Sequence, residues 1–294
     1  MPAKVKIGKL VVIGVGLIGG SFALALKKAR AVKHVVGVGR TRRNLALAVR
    51  RGIIDEMVSD AGRAVRDADF VFLGTPVGQM AEVMAQIAPH LQPHAVITDG
   101  GSTKQDVIAH ARACLGARYA RFVPAHPIAG TENSGAAAAQ PDLYRDRNVI
   151  LTPQSETAAG ALRVARTLWQ QCGARVVRLD AREHDEILAA VSHLPHMVAF
   201  ALVNALAACV NARKLFGFSG GGLRDTVRIA GSSPEMWRDI CLANREALLA
   251  ALEGYVAELG RVRAAIERRD GDALGAMFEH ARTARSRWLL GKRR

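Results

Sequence analysis

The chain has 294 residues, which is long enough for one large domain or two ordinary ones, and half of them are hydrophobic, which excludes a disordered chain. The 41 Lys and Arg residues against 26 Asp and Glu residues give a formal net charge of +15, which fits a solvated basic surface, an anionic small substrate or nucleic acid. The basic residues are scattered and no aromatic residues alternate with them, so we expect no nucleic-acid partner.

The first half of the chain alternates short β-branched runs with helix-length segments. Strand-like runs occur at Leu10–Ile13, His34–Val38, Asp69–Leu73, Ala95–Thr98, Arg121–Pro124, Val149–Thr152 and Ala174–Val177. Helices are expected at Leu17–Ala29 and Arg43–Arg51. This alternation predicts an α/β fold, a Rossmann-type doubly wound parallel sheet with helices on both faces.

The pattern changes near residue 180, where strand signals end and apolar helical periodicity begins. Helices are expected at Glu183–Val191, Pro195–Asn211, Pro234–Leu259 and Asp272–Leu289, and the glycine-rich stretch Phe216–Leu223 is expected to be a loop. We therefore predict a dinucleotide-binding domain over residues 1–179 and an all-α domain over residues 180–294.

A glycine motif follows the first predicted strand. The segment Gly14–Gly19 reads G-x-G-x-x-G between a strand and a helix, which is the context of a dinucleotide-binding turn. In such a turn the first glycine allows the tight bend, the second lets a pyrophosphate approach, and the third lets the helix pack on the strand. The predicted cofactor contacts here are Gly14, Gly16, Leu17, Ile18 and Gly19.

The end of the second strand bears on the choice of cofactor. A NAD site usually has Asp or Glu there, whereas this chain has Gly39 followed by Arg40 and Thr41. An arginine pairs with a 2′-phosphate. We therefore predict Arg40 and Thr41 as cofactor contacts. We expect NADP as the preferred cofactor and keep NAD as possible, because Arg40 can also stack on adenine in a NAD site.

Polar residues follow the next strands. The carboxyl ends of parallel strands face one crevice, so Thr75 and Pro76, Ser102, and His126 are expected to meet at the cofactor. A histidine in that position suits a general base near neutral pH. We predict His126 and Ser102 as catalytic residues, and Thr75 and Pro76 as cofactor contacts.

The helical half contributes a second polar group. Ser192–His196 opens a long apolar helix, and Arg228 follows the glycine-rich stretch at a spacing from Asp225 that can share one helical face. Arginine is suited to binding a carboxylate through two hydrogen bonds, although a surface ion pair is the alternative. His193 and His196 have no third ligand at a suitable spacing, so we expect no metal.

The cysteines and the apolar segments indicate the cellular compartment of the protein. The four cysteines are widely spaced with no C-x-x-C pair, as in free thiols of a reducing cytoplasm. The N-terminus lacks the pattern of a signal peptide, and Met197–Val210 is interpreted as a buried helix of about four turns. We expect a cytoplasmic protein with no membrane partner.

Taken together, these motifs resemble the prephenate/arogenate (cyclohexadienyl) dehydrogenases. The segments that carry the resemblance are Gly14–Ser21, Gly101–Lys104, His126–Glu132, Ser192–His196 and Met236–Asp239. The resemblance implies oxidative decarboxylation of prephenate or arogenate with hydride transfer to NAD(P), in tyrosine biosynthesis. It also implies a Rossmann domain followed by a helical domain that forms a homodimer.

The resemblance also assigns roles to individual residues. It implies that His126 deprotonates the ring hydroxyl of the substrate, that Ser102 hydrogen-bonds the same group, and that Arg228 binds a substrate carboxylate. The remaining residues expected in the substrate pocket are Thr131, Ser192, His193 and His196.

Two other functions remain open from the sequence. One is a β-hydroxyacid-type dehydrogenase, which resembles this chain in outline but uses a lysine near the domain junction, and no lysine lies between Lys104 and Lys214. The other is a non-catalytic NADPH-sensing protein, which would not need Ser102, His126, His196 and Arg228 together.

Overall fold

The N-terminal part of the chain folds around a parallel sheet. The computed structural model describes residues 5–131 and 133–291. Six strands lie in the order β3-β2-β1-β4-β5-β6 and all pair in parallel. They are β1 (Ile7–Ile13), β2 (Val32–Val38), β3 (Glu56–Val58), β4 (Phe70–Leu73), β5 (Val96–Asp99) and β6 (Phe122–Val123). The predicted Rossmann-type sheet is confirmed.

Helices cover both faces of this sheet because successive strand residues point to opposite sides. On one face, Val12 packs in a buried cluster with Phe22 and Trp169, whose ring centroids are 4.6 Å apart. On the other face, Ile13 packs in a cluster with Met80. The helices of this part are α1 (Leu17–Lys28), α2 (Arg42–Arg50), α3 (Ala61–Ala64), α4 (Met80–Ile87), α5 (Gln105–Cys114) and α6 (Ala159–Gln171).

A second, smaller sheet corrects one expectation. The runs near residues 150 and 175 were expected in the parallel sheet, but they form a separate sheet of three strands with the segment around His126. Its strands are β7 (Ala125–Pro127), β8 (Asn148–Leu151) and β9 (Arg175–Arg178), with β7 antiparallel to β8. Pro124 lies between β6 and β7 and has no N–H to continue the first ladder, so the chain changes sheets there.

The rest of the described chain is helical, as expected. Its helices are α7 (Ala181–Leu188), α8 (Leu194–Ala207), α9 (Ala212–Gly217), α10 (Gly221–Val227), α11 (Pro234–Ala243), α12 (Arg245–Glu267) and α13 (Gly271–Gly291). A π-helical turn, Ala189–His193, joins α7 to α8. By its contacts the described chain divides into a compact unit up to Arg245 and a second unit from Glu246. The domain boundary near residue 180 stays a prediction.

Two predicted helical boundaries are wrong. The glycine-rich stretch is helical at both ends, because α9 continues to Gly217 and α10 begins at Gly221. The single helix expected over residues 234–259 is interrupted at Asn244, whose φ of −106° and ψ of 36° leave the helical region. The interruption frees the Asn244 side chain for the contacts described below.

The prediction that the segment from Met197 to Val210 is buried is also wrong. Ala199 is the only buried residue of α8, and Val210 is fully exposed. Within the described residues, the stretch Ala181–Ala207 is long and apolar enough to cross a membrane by length and composition, with 22 % of its most apolar window buried. The larger apolar side chains of α8 are therefore only half covered by the chain itself, with Met197 and Phe200 packed in part against the core.

Candidate active site

The turn after β1 has the geometry that a dinucleotide requires. Gly14 has a φ of 95°, which favours glycine, and a Cβ there would lie 2.5 Å from the carbonyl carbon of Gly74. A Cβ on Gly19 would lie 2.5 Å from the Gly14 carbonyl oxygen, whereas a Cβ on Gly16 would meet nothing within 4 Å. Open space over Gly16, at the N-terminus of α1, fits a pyrophosphate, which the free helical N–H groups would bind.

This turn lies where the strand order reverses. β1 pairs with β2 on one side and with β4 on the other, so the ligand crevice of the fold opens at their carboxyl ends. Thr75 and Pro76 follow β4 at this edge, and the Thr75 backbone nitrogen lies 2.8 Å from the position of a Cβ on Gly14. The Thr75 hydroxyl is buried and has no hydrogen-bond partner in the described part of the chain. An unpaired buried hydroxyl at this edge also fits a bound cofactor.

Arg40, after β2, is already paired within the protein. Its Nη1 and Nη2 donate to the two carboxylate oxygens of Glu235 on α11, at 3.1 and 3.3 Å. The hydrogen bond and the charge of Glu235 raise the pKa of Arg40, and the same hydrogen bond and charge lower the pKa of Glu235. Thr41 follows as the residue before α2. The predicted phosphate-binding arginine therefore has a carboxylate partner that the sequence pattern did not indicate.

His126 ends a relay of two histidines and a carboxylate. Its Nδ1 lies 2.9 Å from Nε2 of His184, and Nδ1 of His184 lies 2.8 Å from Oδ1 of Asp185. Asp185 also accepts hydrogen bonds from the backbone amides of Lys104 and Gln105, at 2.8 and 2.9 Å. A carboxylate can only accept, so His184 donates from Nδ1 and accepts at Nε2 from Nδ1 of His126. This order leaves the lone pair of His126 on Nε2.

Charge states along the relay suit a base. Burial lowers the pKa of His126 to well below its usual value, and the neighbouring His184 and Lys104 lower it further. Burial alone would raise the pKa of Asp185, but hydrogen bonds from His184 and the backbone amides bring it below its usual value. At neutral pH the relay therefore holds a neutral His126 and an ionised Asp185.

A buried ion pair fixes the backbone next to His126. Lys104 and Asp99 are both fully buried and form a salt bridge. Asp99 accepts from the N–H of Ala125 at 2.9 Å, and the Lys104 ammonium donates to the carbonyl of Ala125 at 2.8 Å. The residue before His126 is thus held by both of its backbone groups. Breaking a buried pair of this kind costs roughly 3–5 kcal/mol, so the position of His126 is firmly set.

The helical part brings a second group of side chains together. The His196 ring stacks on Trp237 with a centroid distance of 3.7 Å, and His193 meets the edge of the same indole at 5.9 Å. Asn244 lies 3.1 Å from Nδ1 of His193 and donates to the carbonyl of Asp185 at 2.8 Å. His193 Nε2 and Trp237 Nε1 are buried with no hydrogen-bond partner in the described ranges. Burial lowers the pKa of His193 to about 4, so its ring is neutral at neutral pH.

The other predicted substrate residues lie around this group. Ser192 is half-buried in the π-helical turn, and its carbonyl is 2.9 Å from Nδ1 of His196. Arg228 follows α10, and its charge helps burial to lower the pKa of His196, which indicates that the two residues are near each other. Ser102 is half-buried in the turn after β5, and Thr131 is exposed after β7.

Comparison with known proteins identifies the family. Residues 22–178 match the model of the prephenate dehydrogenase nucleotide-binding domain, and residues 180–280 match that of the prephenate dehydrogenase dimerization domain. The chain belongs to the prephenate dehydrogenase family. No group of three or more His, Cys, Asp or Glu suited to a metal ion occurs among residues 5–131 and 133–291.

Relatives of this family match over nearly the whole chain. The chain is 38 % identical over 280 residues to a cyclohexadienyl dehydrogenase of Zymomonas mobilis, covering 94 % of each chain. It is 36 % identical over 278 residues to a prephenate dehydrogenase of Bacillus subtilis, covering 94 % of this chain and 75 % of that one. A crystal structure of prephenate dehydrogenase from Aquifex aeolicus, in complex with hydroxyphenyl propionate and NAD+, superposes with a TM-score of 0.90, at 34 % identity and with 97 % and 99 % coverage.

The structure brings most of the predicted site residues into two groups, one at the carboxyl edge of the sheet and one around Trp237. The catalytic and binding roles predicted for these residues stay predictions. Glu132, the last residue of the third motif, lies outside the described residues.

Sequence reasoning missed several contributors to the site. His184 and Asp185 were not singled out, because in the sequence they look like the polar face of an amphipathic helix. Glu235 and Asn244 have no sequence signal, since each acts through a contact with a residue more than 50 positions away. Trp237 lies within the motif Met236–Asp239, but no role was predicted for it.

Proposed function

We propose that this chain oxidatively decarboxylates prephenate, arogenate or both, giving 4-hydroxyphenylpyruvate, tyrosine or both in tyrosine biosynthesis. The observation that carries the proposal is the relay from Asp185 through His184 to His126, in a chain that also has a turn shaped for a dinucleotide. The family of the chain supports the same reaction class.

In the proposed mechanism, Nε2 of His126 accepts the proton of the ring hydroxyl. A nicotinamide cofactor bound at the turn after β1 would supply the hydride acceptor, so that the C–O bond could become a carbonyl as the hydrogen on the same carbon leaves. The ring carboxylate is then at a vinylogous β-keto position relative to the new carbonyl. Its C–C bond can therefore break, so that carbon dioxide leaves and the ring becomes aromatic. The protein supplies a base, orientation and charge complementarity, and aromatisation drives the step.

The other predicted site residues are proposed to bind and orient the substrate. We propose that Ser102 hydrogen-bonds the reacting hydroxyl and that Arg228 pairs with a carboxylate of the substrate. The residues proposed to line the pocket are Thr131, Ser192, His193 and His196. The unpaired nitrogens of His193 and Trp237 support a polar ligand there, because buried polar groups are normally hydrogen-bonded.

For the cofactor we propose NADP in preference to NAD. No acid follows β2 at Gly39, and Arg40 supplies a permanent positive charge beside it. NAD remains the alternative for the same site.

We propose that the protein is a cytoplasmic homodimer without a membrane or nucleic-acid partner. The half-buried apolar side chains of α8 support a dimer, because a second copy would complete their burial. The family model over residues 180–280 is named for dimerization, which supports the same conclusion. The described cysteines are free, as expected for a reducing compartment.

The test of the proposed function is nicotinamide absorbance with prephenate, arogenate and a 3-hydroxy acid supplied in turn with each cofactor. Reduction with prephenate or arogenate, together with release of carbon dioxide, is the expected result. Reduction with the 3-hydroxy acid alone would instead indicate a β-hydroxyacid dehydrogenase.

The pH dependence should report the depressed pKa of His126. The base works only when neutral, so kcat/KM should be constant at neutral pH and fall as pH drops through the pKa of His126 in the free enzyme. Because burial lowers that pKa below 6.5, we expect the midpoint of the acidic limb below pH 6.5. Initial rates across that range measure it. A midpoint above 6.5 in the wild type would contradict the assignment.

Replacing Arg228 by Ala should act mainly on substrate binding. Loss of one charge-assisted carboxylate contact is expected to raise KM for prephenate roughly 10- to 100-fold with a smaller effect on kcat. Arg224→Ala, on the short helix α10 that precedes Arg228, removes an equal charge as a control. An unchanged KM in Arg228→Ala would assign Arg228 to a structural ion pair.

A further inference from the structure

Glu235 connects the cofactor side of the molecule to the substrate side. It lies in the first turn of α11, the same helix whose Trp237 stacks on His196. Both of its carboxylate oxygens accept from Arg40, and Oε1 also accepts from Nε2 of Gln79 at 3.0 Å. Glu235 is thus held by residues that follow two different strands of the parallel sheet.

Close packing fixes where this carboxylate lies. The helix α11 packs against the turn that contains Gly78, where a Cβ would be only 2.7 Å from Oδ2 of Asp239. Trp237 is 6 % exposed and anchors the same helix in the core. Glu235 therefore lies next to Arg40 on a helix that cannot shift away without disturbing packed residues.

The ion pair between Arg40 and Glu235 lies where a fold of this kind binds the ribose of its cofactor. The residues directly after β2 are those that meet the ribose 2′ position in a fold of this kind. A 2′-phosphate there would need the Arg40 guanidinium, both of whose terminal nitrogens already donate to Glu235. We propose that Glu235 is a specificity-determining residue, which competes with the 2′-phosphate for Arg40 and so limits the preference for NADP. The inference rests on the proposed function only through the location of the cofactor site.

The test is binding of NADPH and NADH, which differ only in the 2′-phosphate, measured by nicotinamide fluorescence without substrate. Glu235→Gln keeps the size of the side chain and removes its charge. We expect it to tighten NADPH binding roughly 3- to 10-fold and to change NADH binding less than about twofold. On an Arg40→Ala background, the same substitution should change NADPH binding by less than about twofold, because its effect runs through Arg40.

A matched control is available at another exposed pair. Glu156 accepts from Arg112 at 3.1 Å, and Arg112 lies in the last turn of α5, which runs from the carboxyl edge of the sheet towards the opposite edge. Glu156→Gln should leave both dissociation constants unchanged. Thermal unfolding of each variant checks that the chain is folded.

The outcomes separate this inference from the proposed function. Equal changes for NADPH and NADH in Glu235→Gln, or the same gain with and without Arg40, would overturn the role of Glu235 while leaving the cofactor site intact. Failure of the folded wild type to bind either nucleotide would overturn the cofactor site itself and with it both proposals.

Discussion

Replacing His126 by Asn is expected to lower kcat roughly 10²- to 10⁴-fold, which is the usual contribution of a positioned general base. Asparagine has no nitrogen lone pair to accept the hydroxyl proton at the position of Nε2. The Asp99–Lys104 pair holds the backbone of Ala125 independently of the His126 side chain, so the local structure should persist. Cofactor affinity should change little.

Steady-state kinetics and NADPH titration measure this effect. His94→Asn serves as a control, since His94 is an exposed histidine 3.3 Å from Asp69 and lies away from the relay. Wild-type turnover in His126→Asn throughout the pH range of the assay would remove His126 from the mechanism.

Replacing Asp185 by Asn should also reduce kcat severely, by roughly 10²- to 10⁴-fold, because it disturbs the tautomer of the base. Asp185 accepts from His184 and from two backbone amides, and an amide side chain has one oxygen for these three donors. The NH₂ group of the asparagine would face one of these N–H donors. His184 would then lose the carboxylate that fixes which of its nitrogens carries the proton. The lone pair of His126 would then no longer be fixed on Nε2.

The matched control is Asp180→Asn on the same helix. Asp180 caps α7 through the amides of Arg182 and Glu183, and asparagine caps a helix as well as aspartate does. Rates of the two variants with saturating prephenate, together with NADPH binding as a check of folding, measure the difference. If Asp185→Asn is folded and as active as Asp180→Asn, the relay does not order the protons of His126.

Local patterns predicted the parts of the site that depend on neighbouring residues. The glycines after β1 are recognisable because a turn with a φ of 95° and two close backbone approaches needs those residues in sequence. His126 and Ser102 are recognisable because they follow strands whose carboxyl ends meet at one edge. Binary patterning likewise predicted a parallel sheet followed by helices.

What the sequence did not predict depends on contacts between distant residues. His184 lies 58 positions from His126, and Glu235 lies 195 positions from Arg40, so no spacing rule connects them. Burial of α8 was wrong for a related reason. Apolar composition shows that a helix needs to be covered, but it does not show whether the same chain covers it.

The π-helical turn at Ala189–His193 joins the relay to the substrate group within one continuous helical segment, and it contains Ser192 and His193 itself. A π turn holds one residue more than an α-helical turn, and each residue rotates a helix by about 100°. The angular relation of His184 and Asp185 to His193 and His196 is therefore encoded by the number of residues between them. Evolution can exchange side chains such as Ala190 in this segment one at a time. A single-residue insertion or deletion, in contrast, would rotate every downstream functional group at once, so the segment constrains chain length more strictly than residue identity.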